Sequence, residues 1–114
     1  ELYNAGFEPI IIDNFSNSNR SALEGIRQIL NAEVPCYEGD CNDPQLLDQI
    51  FAAEDIQGVI HFAAFKAVGE SVEKPLMYYR NNLDSTMLLL EKMQQFGVRN
   101  LVFSSSCTVY GQPD

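Results

Sequence analysis

Glu8 to Asp13 reads EPIIID and runs straight into the polar stretch NFSNSNR, Asn14 to Arg20. A short β-branched run closed by an acid predicts a buried strand. The next residues change period. Ser21 is placed to cap a helix, with Glu24 three positions on as in a capping box. Leu23, Ile26, Ile29 and Leu30 then fall on one helical face. Strand, polar loop, amphipathic helix is therefore the unit to look for elsewhere.

It recurs along the chain. Val34 to Gly39 reads as a second strand. Asp43-Pro44 opens a second helix, with the acid as cap and proline at the first helical position, and Leu46, Leu47, Ile50 and Phe51 form its apolar stripe. Gly58 to Ala64 (GVIHFAA) is a third strand and Lys66 to Lys74 a loop. Pro75 to Phe96 predicts one long helix, with Leu83, Met87, Leu90 and Met93 near helical spacing and Gly97 as its stop. Asn100 to Ser105 (NLVFSS) is a fourth strand. Strands separated by helices pair in parallel through right-handed crossovers, which predicts a doubly wound α/β sheet with helices on both faces. Glu1 to Ala5 reads as the last turn of a helix ended by Gly6. The absence of an initial Met and the stop at Gln-Pro-Asp, just past a strand, lead us to expect a piece of something longer, with residues 1–114 forming part of one domain.

Composition narrows the partners. Of the 114 residues 46% are hydrophobic and 20% charged, a normal globular mix. The net charge of -9 argues against nucleic acid, whose phosphates demand a basic surface. No apolar run is long enough to span a bilayer and no secretory signal opens the chain, so no membrane partner is expected. Cys36, Cys41 and Cys107 are odd in number and lack metal spacing, which points to free thiols in a reducing cytoplasm and to no bound metal.

In a doubly wound sheet, ligands sit beyond the carboxyl ends of the strands. Asp13 lies there. In a dinucleotide fold such an acid accepts hydrogen bonds from ribose hydroxyls and disfavours an added 2′-phosphate; it serves equally as a turn acid. Asn14, Phe15, Ser16, Asn17 and Ser18 supply amides and hydroxyls that can hold a ribose or simply form a loop. Asp40, with Cys41 behind it, can accept the adenine amino proton or cap a turn. His61, the single histidine, sits between Ile60 and Phe62 and reads as a packed core residue. Phe62, Ala63, Ala64, Phe65 and Lys66 follow the third strand, where small residues let a ligand approach the backbone and Lys66 can reach a phosphate or ribose. Asn81 and Asn82 are poor helix formers placed early in the long helix, where a polar side chain can reach a ligand or the neighbouring loop. Ser104, Ser105 and Ser106 are poor packing material at a buried strand end and make sense as hydroxyls aimed at a substrate.

Taken together, IIIDNFSNS (Ile10 to Ser18), EGD (Glu38 to Asp40), VIHFAAFKAVGESVEKPLMYYRNN (Val59 to Asn82) and NLVFSSSCTVYG (Asn100 to Gly111) resemble the extended short-chain dehydrogenase/reductase family. Within it they resemble the UDP-galactose/UDP-glucose 4-epimerases, over essentially the whole chain, and KAVGES (Lys66 to Ser71) is the most specific part. The resemblance implies an NAD-binding Rossmann fold that here lacks the family's first strand, its G-x-x-G-x-x-G phosphate loop and its carboxyl-terminal substrate domain. It implies NAD contacts from Asp13 through Ser18, from Asp40 and Cys41, from Phe62 through Lys66, and from Asn81. It assigns Ser106 the catalytic, substrate-binding hydroxyl beside the reacting sugar. The family's general base, a tyrosine in Tyr-x-x-x-Lys, is absent, and Tyr110 cannot stand in because no lysine follows it. Cys41, Ala64, Phe65 and Cys107 depart from the family's usual residues, Ala64 standing where glycine is common.

The implied chemistry is interconversion of UDP-galactose and UDP-glucose, in galactose metabolism, through a 4-keto sugar with NAD regenerated. The implied full-length protein is a cytoplasmic homodimer, and the 114-residue piece alone is expected to fold poorly and to be inactive. Two rivals stand beside it. A nucleotide-sugar 4,6-dehydratase would carry an Asp-Glu pair where this chain has Ser106-Cys107-Thr108. A non-catalytic NAD-sensing regulator could share the fold without the chemistry.

Overall fold

The computed structural model describes residues 1–105. The chain divides into two compact units, Glu1–Leu46 and Leu47–Asp114.

In the first unit, a 3₁₀ turn at Tyr3–Ala5 is ended by Gly6 in the left-handed conformation. Strand β1, Ile11–Asp13, pairs in parallel with β2, Cys36–Glu38, with Ile11 opposite Cys36 and Asp13 opposite Glu38. Helix α1, Ser21–Leu30, forms the crossover. The capping box is not used. Ser21 is already helical, and its N–H donates instead to the Asn19 side chain at 3.0 Å. The acceptor for the first helical N–H thus comes from the loop, two residues before Ser21. The expected α1 stripe is incomplete too, since Leu23, Ile26 and Leu30 are half-buried while Ile29 is 84% exposed. Strand β1 is half-buried where a buried strand was expected, and its ladder begins at Ile11, not Glu8.

Helix α2, Pro44–Ala53, begins as predicted. The Asp43 carboxylate accepts from the Gln45 N–H at 2.9 Å, and Pro44 fills the first position, where no N–H is needed. The leading part of this helix closes on the turn after β2, where a Cβ on Gly39 would run into the Leu46 side chain.

In the second unit, β3, Gly58–His61, pairs in parallel with β4, Asn100–Phe103, with His61 opposite Phe103. Both strands stop short of the predicted ends at Ala64 and Ser105. One further bond, from the Ser104 N–H to the His61 carbonyl at 3.1 Å, carries the pairing slightly beyond them. The core is built by Leu47, Ile50 and Phe51 of α2 with Leu89 and Met93 of α5 (Ser85–Phe96), and the Phe51 and Phe96 rings stack at 5.5 Å. Lys92 and Asp48 form an ion pair at 2.6 Å between the same two helices.

Between β3 and α5 the structure differs most from expectation. The loop at Lys66 to Lys74 contains a short helix, α3, Val68–Glu73. It is clipped to α4, Pro75–Tyr79, by the Tyr78 hydroxyl donating to Glu70 at 3.0 Å and by Lys74 beside the same carboxylate at 3.4 Å. The predicted helix does run from Pro75 to Phe96, but a π-helical segment at Arg80–Asp84 lies within it, between α4 and α5. One wide turn rotates every later residue about the axis. The expected apolar stripe is split. Ser85, Leu89 and Met93 turn inward, while Leu83, Met87 and Leu90 are exposed. Gly97 closes α5 at φ 74°, as its position predicts.

Two parallel pairs, β1–β2 and β3–β4, thus take the place of one continuous sheet among the described residues. Met93 is 3% and Met87 59% exposed. Met93→Ala is expected to cost about 3 kcal/mol in urea denaturation. Met87→Ala should cost less than Met93→Ala.

Candidate functional site

The loop leaving β1 is organised by its first residue. Asp13 Oδ1 accepts from the Phe15 N–H and Asp13 Oδ2 from the Ser18 hydroxyl, both at 2.8 Å. The Asn14 side chain accepts from the Ser16 N–H at 3.0 Å, a second Asx turn inside the first. Phe15 is driven to φ 54°, a left-handed conformation rare for an aromatic residue. The Arg20 guanidinium lies over the Phe15 ring, 5.5 Å from its centroid, and pairs with Glu38. Both ion-pair partners are exposed, so the arrangement shapes the loop more than it stabilises the fold. Asn14, Ser16, Asn17 and Ser18 remain open to solvent around the half-buried Asp13.

Asp40 and Cys41 are held beside this loop. The Gly39 N–H donates to the Asp13 carbonyl at 3.0 Å, so the turn after β2 starts where β1 ends. Asp40 also shapes its own turn, accepting from the Asn42 N–H at 2.8 Å. Cys36 and Cys41 are free thiols. Burial, then Asp13 and Glu38, push the Cys36 thiol up, which keeps it protonated and unreactive.

In the second unit, Phe62, Ala63, Ala64 and Lys66 emerge exposed after β3, and Phe65 is half-buried, its ring 5.4 Å from Tyr78. Ala64 replaces a common family glycine without strain, because its φ is not positive. Asn82, from the π segment, grips the Phe65 backbone at both ends. Its Oδ1 accepts from the Phe65 N–H at 2.8 Å, and its Nδ2 donates to the Phe65 carbonyl at 3.1 Å. The Asn81 amide donates to the same Oδ1 at 3.0 Å, which brings Asn81 to this loop.

His61 is buried, as its apolar neighbours predict, and it is also bonded. Its Nε2 lies 3.1 Å from the Thr86 hydroxyl, which itself donates to the Asn82 carbonyl at 2.9 Å. With that proton committed, Nε2 must carry the imidazole proton. Thr86 escaped sequence analysis, since nothing distinguishes it from a surface helix threonine. Ser106 lies outside the described residues; the strand leading to it is tied through Ser104 to His61. Among the described residues no group of three metal-ligating side chains occurs, and no helix is long and apolar enough to cross a membrane.

Parallel strands joined through helices, with polar loops at their carboxyl ends, define an α/β fold in which ligands sit beyond the strand ends. The family model described as GDP-mannose 4,6 dehydratase matches residues 1–114, and the chain belongs to that family. It is 49% identical over 114 residues to the UDP-glucose 4-epimerase of Bacillus subtilis and 52% over 113 to that of Haemophilus influenzae. These matches cover 100% and 99% of this chain but 34% and 33% of the relatives, so the chain spans about a third of their length. The crystal structure of UDP-glucose 4-epimerase from Bifidobacterium longum in complex with NAD+ and UDP superposes with a TM-score of 0.92 at 50% identity, over 98% of this chain and 33% of that one. The enzyme from Stenotrophomonas maltophila, with bound NAD and formylated UDP-arabinopyranose, gives 0.91 at 39%, over 99% and 34%. The fold is a partial NAD-binding Rossmann type, as the family resemblance implies.

Burial holds the His61 pKa below its ordinary 6.5. The unfolded chain therefore binds more protons over that interval, and stability falls as pH drops from about 6.5 through the folded value, then levels off. Denaturation midpoints across that range should show this slope, and His61→Gln, which keeps a donor for Thr86 but cannot titrate, should lose it.

Proposed function

We propose that the protein containing this chain is a UDP-glucose 4-epimerase, an NAD-dependent isomerase, and that residues 1–114 form part of its NAD-binding domain. The observation that carries this reading is the match along the whole chain to epimerases solved with NAD and uridine nucleotides. The family model is described by a dehydratase, but Ser106-Cys107-Thr108 offers no carboxylate for that chemistry.

The residues present fit the cofactor. Asp13 has lone pairs beyond the two bonds it accepts from its own loop and faces solvent enough to take ribose hydroxyls. Asn14, Phe15, Ser16, Asn17 and Ser18 line the same loop, and Asp40 with Cys41 stands at the turn fastened to it. Phe62, Ala63, Ala64, Phe65 and Lys66, with Asn81, form the second contact region, where two alanines leave the backbone accessible. When bound, NAD supplies a reversible hydride acceptor for C4 of the sugar, which passes through its 4-keto form. Ser106 holds the reacting hydroxyl and bridges it to the family's tyrosine base, which this chain does not contain. The 114 residues alone are inactive on this reading.

The exposed Leu83, Met87 and Leu90 support a homodimer built on this helix face. Free Cys36 and Cys41 support a cytoplasmic setting, and the substrate assigns the enzyme to galactose metabolism.

The test uses the full-length protein, UDP-galactose and no added NAD. Formation of UDP-glucose is expected, with kcat lowered roughly 100-fold in Ser106→Ala. No conversion by the intact protein would sink the epimerase reading and leave the sensor.

A further inference from the structure

We infer that Arg20 and Glu38 help set which dinucleotide the loop after β1 accepts: Glu38 engages the Arg20 guanidinium that would otherwise take a 2′-phosphate, and so keeps the phosphorylated cofactor from binding beside Asp13. The inference rests on the NAD-binding reading above and adds to it two residues given no role there.

Four observations carry it. Arg20 immediately precedes α1, and its side chain makes no capping bond. A cation is unfavourable at that end of a helix, where acids and small polar residues are preferred, so the helix itself gives no reason for an arginine. The side chain is instead held from two sides, by the Phe15 ring, whose centroid lies 5.5 Å from the guanidinium carbon, and by the Glu38 carboxylate, to which Nη2 donates. Both anchors adjoin Asp13. The Phe15 N–H donates to Asp13 Oδ1 at 2.8 Å, and Glu38 stands opposite Asp13 in the β1–β2 register. Cys36 senses the same closeness: burial, then Asp13 and Glu38, push its thiol up while Arg20 pulls it down, so all three charges act on one sulfur. Finally, the two side chains are 67% and 52% exposed. At that exposure an ion pair adds little to stability, and a phosphate arriving from solvent can reach the guanidinium.

In dinucleotide folds an acid at this strand end suits a free 2′-hydroxyl, and a nearby arginine suits a 2′-phosphate. This chain carries both in one loop. An unengaged guanidinium would offer the phosphate charge-assisted bonds and blunt the selection that Asp13 makes. Glu38 opposes this in two ways, by competing for the guanidinium and by placing a second negative charge beside Asp13. Repulsion of the wrong ligand leaves the right one untouched, since a 2′-hydroxyl carries no charge.

The experiment uses full-length protein, stripped of dinucleotide and reconstituted with NAD and NADP at equal concentration. The parent is compared with Glu38→Gln and with Glu38→Gln combined with Arg20→Ala. The readout is the ratio of bound NADP to bound NAD, from chromatography of the released nucleotides. That ratio is internal to each sample, so a variant that folds in lower yield still gives it. It is expected to rise on the order of 10-fold in Glu38→Gln and to lose most of that rise when Arg20 is also replaced. An unchanged ratio in Glu38→Gln overturns the inference. So does a rise that survives Arg20→Ala, because Glu38 would then act by its own charge alone. A parent that binds NAD without converting UDP-galactose would sink the proposed function and leave this inference to be decided by the ratio. A parent that epimerises while Glu38→Gln keeps the parent ratio sinks the inference alone. A parent that binds neither dinucleotide overturns both.

Discussion

The helix from Pro75 to Phe96 meets the core with one face and holds the loop after β3 with another, and the π segment Arg80–Asp84 lies where the two roles join. Before the segment, Tyr78 packs on Phe65; after it, Ser85, Leu89 and Met93 face the core. The Asn82 carbonyl within the segment accepts from the Ser85 and Thr86 hydroxyls.

The same logic of polar groups satisfying a strained backbone governs the first unit on a smaller scale. Asp13 ends β1, and its carboxylate gathers the following loop by accepting a backbone N–H and a hydroxyl. This gathering holds Phe15 in a left-handed conformation, with Arg20 over its ring. An acid at a strand end can cap a turn or hold a ribose, and the bonds that cap the turn do not use all of its lone pairs. The turn-capping bonds hold the carboxylate in place, and its remaining lone pairs are then offered in a fixed direction.

Sequence periodicity made the alternation of strand and helix legible, because EPIIID, GVIHFAA and NLVFSS differ in period from the segments between them. Helix ends were legible where one residue fixes the backbone, as at Pro44 and Gly97. It failed where a decision depends on a partner far along the chain. Nothing local separates Ser21 from Asn19 as the cap of α1; the loop's path decides it. Leu83, Met87, Leu90 and Met93 lie near helical spacing on paper, yet only Met93 is buried, because which face of a helix meets the core is set by its packing partners. The candidate site was legible by residue type at strand ends, while the partners that hold it, Thr86 above all, carry no signal in a single sequence.

The remaining apolar exposure follows from the pairing of strands. Register places Ile60 beside Val102 on one face of the β3–β4 pair and His61 beside Phe103 on the other. Helix α5 meets the second face through Thr86 and His61, and Ile60 and Val102 stay exposed. A doubly wound sheet is covered on both faces, because parallel strands are apolar on both. Two short pairs with one such open face, in a chain spanning about a third of its relatives, hold few of the contacts that a complete sheet would make. The clamp at Asp13 closes within five residues, while that at Phe65 reaches across seventeen to Asn82. The burial that stabilises them is not local, which is why strand-end geometry can be present in a chain whose core is still small.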